Sequence, residues 1–183
     1  MTTTTQPRGG LPWRTLCWTL AAGVLLLPLI GGAPWTLSDY LTMGALLGIV
    51  GTLLELAVRA SGSLAFRGGA AVAVLAGFLL VWVNLAVGFL GDEGNPANLM
   101  FLGVLFVAAA GAVIAGFQAS GMAKAMIAAA AAQVAAGAVG LGLRLGSPGS
   151  DGVYEAAMGT GVFTALWLVS AGLFLRAAKL ERT

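Results

Sequence analysis

Six long apolar runs, separated by short breaks of Gly, Pro, Ser and charged residues, follow one another along this chain. Each has about the 20 residues a helix needs to cross a hydrocarbon layer about 30 Å thick. A Thr-rich polar arm, residues 1–12, precedes the first run, Trp13–Ile30. The run's basic start and apolar centre resemble a secretory leader. Pro34 directly after Gly31-Gly32-Ala33 disfavours cleavage there, so the run reads as a retained helix. Thr36-Leu37-Ser38-Asp39 reads as a capped helix start, and run two continues to about Ala60. After a Ser61-Gly62-Ser63 turn, run three covers residues 64–90, with Gly91 suited to a helix end because it lacks a Cβ that would clash at positive φ. Asn95-Pro96 marks the next start: Asn caps, and Pro at the first helical position lacks only an N–H that the helix would not use. Run four is expected over 96–117, run five over 122–145 after a turn at 118–121, and run six over 153–178 after a flexible connection at 146–152. A short basic tail, 179–183, follows.

The pattern predicts an all-α fold: one integral membrane bundle of six transmembrane helices spanning residues 13–178. Charge adds an orientation. With six crossings both termini share a side, and that side receives Arg8, Arg14, Arg59, Arg67, Lys124, Arg176, Lys179 and Arg182, whereas the other receives only Arg144. Asp39, Asp92, Glu93, Asp151 and Glu155 fall on the Arg144 side. An excess of Lys and Arg marks the cytoplasmic face, so both termini are expected there. Composition agrees: 59% of residues are hydrophobic and 9% charged, against about 25% charged in soluble domains. Histidine is absent and Cys17 is the lone cysteine. That removes the usual metal ligands and any internal disulfide, so no metal and no cofactor is expected. No basic face for nucleic acid is visible.

Three polar residues fall inside the runs. Glu55 lies a turn from the inner end of run two, four residues before Arg59 and on the same helix face. An interfacial ion pair, with Arg59 snorkelling to the headgroups, competes there with a proton or ion site. Asn84 and Gln133 lie deeper, where interhelical hydrogen bonding competes with a polar path. At the outer ends, Asp39, Asp92, Glu93, Asn95 and Asn98 gather near helix starts. Capping accounts for them; the sharper reading is a contact for a cation or a basic partner. Small residues recur at four-residue spacing, as in Gly69/Ala73/Gly77 and Ala157/Gly161/Ala165, which allows helix backbones to approach closely. Trp82 and Trp167 lie deep enough to wall a lipophilic ligand or simply to pack. No nucleophile–base–acid set, no H-E-x-x-H and no P-loop occurs, and no catalytic residue is nominated.

The stretch Trp82, Asn84, Ala86-Val87-Gly88, Gly91, Glu93, Asn95-Pro96-Ala97-Asn98-Leu99-Met100 resembles the signature of an uncharacterised family of small bacterial multi-pass membrane proteins. Trp35-Thr36-Leu37-Ser38-Asp39-Tyr40 and Gly121-Met122-Ala123 are similar too. Where that family carries acidic residues before the counterpart of Trp35, this chain has Gly31-Gly32-Ala33-Pro34. The resemblance implies a bacterial inner-membrane location and adds no mechanism. The expected role is a non-enzymatic subunit or scaffold that packs in the bilayer against other membrane proteins or a further copy of itself. The alternatives are a small transporter or channel using Glu55, Asn84 and Gln133, and a binder of a quinone, carotenoid or lipid.

Overall fold

Backbone N–H and C=O groups in an apolar setting must bond within their own segment, and helix is the local solution. A computed structural model describes residues 13–182, and all regular structure among them is helical. The helices are α1 (Trp13–Ile30), α2 (Leu37–Ala60), α3 (Leu64–Ala86), α4 (Leu99–Ile114, entered through a single 3₁₀ turn at Pro96–Asn98), α5 (Ala119–Gly142) and α6 (Ser150–Leu180). The polar arm of residues 1–12 lies outside the described residues. Five of these stretches are long and apolar enough to cross a membrane; Trp18–Ile30 of α1 is shorter.

Helix bounds differ from expectation in four helices. α3 stops at Ala86, not 90: Gly88 takes φ +75° and turns the chain. α4 stops at Ile114 because Gly116 enters the left-handed region, with the Phe117 N–H reaching the Ala112 carbonyl and the Gly116 N–H the Val113 carbonyl. That paired bonding satisfies the last carbonyls of the helix. The turn therefore falls earlier than 118–121, and Ser120 and Gly121 are already in α5. A Cβ on Gly121 would stand 2.7 Å from the Ala115 Cβ, so the close approach of α4 and α5 needs glycine there. α5 ends at Gly142 by the same cap, with Arg144 at φ +52° in the role glycine normally takes and the Leu145 N–H on the Gly140 carbonyl. α6 is longer than expected, Ser150–Leu180. At 1.5 Å per residue it is about 46 Å long, more than a hydrocarbon core of about 30 Å. Only residues 156–175, between Glu155 and Arg176, are free of charge.

The chain divides between Gly51 and Thr52 into two compact units. In the first, α1 and the opening turns of α2 run antiparallel: the Leu25 side chain reaches Gly44, and the Trp18 ring covers Gly51. The second holds the last turns of α2 and all of α3–α6. There the backbones meet where a side chain is missing or small: Gly111 on Ala125, Gly137 on Thr160, Gly69 under Phe174, Gly140 under Leu90. These pairs make α4/α5, α5/α6 and α3/α6 antiparallel neighbours. Phe66, Leu80, Phe101, Ala129, Trp167 and Phe174 fill the core among them. The stripe Ala157/Gly161/Ala165 points outward, so α6 packs on its other face. Antiparallel alternation leaves Asp92, Glu93, Arg144, Asp151 and Glu155 at one end of this unit. Arg59, Arg67, Lys124, Arg176 and Lys179 lie at the other.

Candidate functional site

The connection between α3 and α4 is closed by two asparagines. Asn95 ends its extended backbone at the 3₁₀ turn, and its Oδ1 accepts the Ala97 N–H at 2.9 Å, while Pro96 begins the turn. Its Nδ2 donates twice, to the Leu90 carbonyl at 2.8 Å and to the Leu145 carbonyl at 2.6 Å. The second bond ties this connection to the one between α5 and α6. Asn98 is buried and points back into the loop: Oδ1 accepts the N–H groups of Phe89 and Leu90 at 3.1 and 2.7 Å, and Nδ2 donates to the Asp92 carbonyl at 2.7 Å. Both lone pairs of that oxygen are thus used on buried backbone donors. The chain can come this close only with glycine at 88, since a Cβ there would lie 2.2 Å from the Asp92 carbonyl oxygen. Phe89 and Leu90, held by Asn98, pack inward, Phe89 against Phe101 and Phe163 and Leu90 over Gly140.

The acids around this knot are partly committed. Asp92 Oδ1 accepts the Gly94 N–H at 2.9 Å, a short loop bond. Glu93 is exposed and makes no hydrogen bond or ion pair among the described residues. Asp39 belongs to the other unit, where its Oδ2 accepts the N–H and hydroxyl of Thr36 at 2.7 and 2.8 Å and so closes the start of α2. Trp35 meets Tyr40 edge to face beside it. Among the described residues no three of His, Cys, Asp and Glu lie together as metal ligands would.

The three polar residues inside the runs differ in their partners. Glu55 pairs with Arg59. Nearby, Arg67 Nε and Nη2 donate to the carbonyls of Ser61 and Val58 at 2.8 and 3.0 Å and cap the C-terminus of α2. Asn84 lies on α3 about 25 Å further on at helical rise, and its Nδ2 donates to its own helix, to the Leu80 carbonyl at 2.6 Å. Gln133 is fully buried on α5, and neither its oxygen nor its nitrogen has a hydrogen-bond partner. It faces a seam that sequence reasoning missed. The Gly137–Thr160 contact sets the register of α5 against α6 and brings Gln133 and Thr164, one turn away on each helix, to facing positions. The hydroxyls of Thr160 and Thr164 and the Trp167 indole N–H are also buried without partners. One turn further along α6, Ser170 is buried but satisfied: its hydroxyl donates to the Gly69 carbonyl at 2.8 Å. The available signal was the spacing Thr160/Thr164/Trp167/Ser170, polar atoms on one face of a long apolar helix.

The apolar length and helical fold define a multi-pass α-helical membrane protein. No family model, no curated protein and no solved structure matches the chain.

Proposed function

We propose that the chain is a non-enzymatic multi-pass subunit or scaffold of a bacterial inner membrane, with six crossings and both termini cytoplasmic. The observation that carries this is the contrast in burial among the spans. Only 6% of the most apolar window of α2 is buried within the protein, against 44% for α5. Ile49, Leu53 and Leu56 lie on one exposed face of α2, an unfilled surface for another helix. Three of the carboxylates have structural work: Asp39 caps α2, Asp92 closes a turn and Glu55 pairs with Arg59. The separation of basic from acidic ends supports the orientation. The sixth crossing is α1, whose 18 residues reach about 27 Å, close to the hydrocarbon thickness. The family resemblance also belongs to this proposal, supported by the residues of the 82–100 stretch that close the knot.

A photo-reactive residue at position 53, activated in native membranes, tests the partner. The expected product is a discrete protein–protein adduct; adducts with lipid alone, and a purified chain with nothing co-migrating, would sink the subunit reading. The transporter reading has one observation in its favour, the unpartnered Gln133 seam. It predicts that Gln133→Met abolishes uptake of some solute into vesicles carrying the folded variant.

A further inference from the structure

At the basic end of the second unit, the turn between α2 and α3 leaves an open groove against the last turns of α6. Gly62, Ser63, Leu64 and Ala65 form one wall, and Leu173, Arg176 and Leu180 the other. Leu64 is among the most exposed large apolar residues of the molecule, so the groove is apolar and unfilled. Two other arginines at this end are committed, Arg59 to Glu55 and Arg67 to two carbonyls. Arg176 is exposed and makes no hydrogen bond or ion pair among the described residues, and Lys179 follows on the next turn.

We propose that this groove holds one anionic glycerophospholipid of the bilayer, its phosphate on the Arg176 guanidinium and an acyl chain along Leu64, Ala65 and Leu173. The inference rests on the membrane reading above. Two features select this occupant. The groove lies where the uncharged stretch of α6 ends, which is the depth of the headgroups. Its one free charge is a planar fork of donors that suits a phosphate, set beside apolar walls that suit a chain, and basic pockets between helices on the cytoplasmic side bind acidic headgroups. A soluble anion would use the guanidinium and leave the apolar walls wet.

The test is native mass spectrometry of the full chain released from mild detergent after exchange into phosphatidylglycerol or phosphatidylcholine. One phosphatidylglycerol should remain bound in preference to phosphatidylcholine. Arg176→Gln should reduce its retention about fivefold, with Arg176→Lys intermediate and Lys179→Gln close to wild type. Retention by the wild-type chain should also weaken as salt rises, a readout that stands even if the Arg176 variants fail to fold. Equal retention of the two lipids, retention that ignores salt, or undiminished retention by folded Arg176→Gln would overturn the proposal. So would inorganic phosphate protecting delipidated protein as well as phosphatidylglycerol does. A chain that stays soluble and monodisperse without detergent would instead overturn the membrane reading.

Discussion

Two buried polar regions of the second unit answer the same physical demand in opposite ways. At the acidic end, Asn98 places each polar atom of its carboxamide on a backbone partner, and Asn95 does the same across to Leu145. Between α5 and α6, Gln133 has the same functional group, as deeply buried, with no partner on either atom, and Thr160, Thr164 and Trp167 share the condition. A net hydrogen bond contributes only about 1 kcal/mol, but a buried group left without one costs about 1–3 kcal/mol. The knot therefore stabilises its loop, whereas the seam is a local expense carried by packing elsewhere. Similar amides, then, do not signal similar roles; their partners decide.

Removing the glycine that lets the knot close is expected to have the largest effect. Gly88→Ala adds a Cβ 2.2 Å from the Asp92 oxygen at a backbone angle of φ +75°. Strain and clash together should exceed about 3 kcal/mol, and size-exclusion profiles in detergent should show little folded protein. Asn98→Leu comes next. It leaves the Phe89 and Leu90 N–H groups buried and unpaired and should cost about 3 kcal/mol in thermal or denaturant unfolding. Asn98→Asp keeps the acceptor while losing the donor to Asp92, so it should recover part of that loss. The seam should answer with the other sign. Gln133→Met keeps length while deleting two unpartnered polar atoms and should stabilise by about 1–2 kcal/mol. A clear loss of stability there would mean that Gln133 is satisfied in the folded protein, and the contrast would collapse.

Much of this was legible in the order of residues. Three helix starts were, because caps are local chemistry: Thr36 with Asp39, the turn that ends in Ser63, and Asn95 with Pro96 all sit where side-chain oxygens meet the first N–H groups. By contrast, α5 and α6 begin without a side-chain cap, three residues before the expected positions. Helix ends were less so. They depend on which residue accepts a left-handed angle, and at α5 that residue is Arg144, which no propensity singles out. The same holds for the site. Asn95 and Asn98 are conspicuous beside Pro96, but the bond from Asn95 to Leu145 joins residues that only the packing of α3–α6 brings together. Gln133 is visible as a lone amide in an Ala-rich run. Thr160 and Thr164 are not, since a helical hydroxyl ordinarily bonds a carbonyl one turn back.

A smaller effect sharpens the account of α5's end. Arg144 stands at φ +52° in a position suited to glycine. Arg144→Gly should relieve about 1 kcal/mol of left-handed strain, raising the unfolding midpoint slightly. No change would show that its side chain repays the strain through contacts of its own.

Amide hydrogen exchange of Phe89 and Leu90 in micelles tests the central contrast most directly. These two N–H groups lie in a loop, outside any helix, and their protection comes from the one side-chain oxygen of Asn98. If the knot is closed, both should exchange as slowly as the buried amides of α4 and become fast in Asn98→Leu while α5 is unaffected. Exchange of Phe89 and Leu90 at the rate of an exposed loop in the wild-type protein would contradict the account.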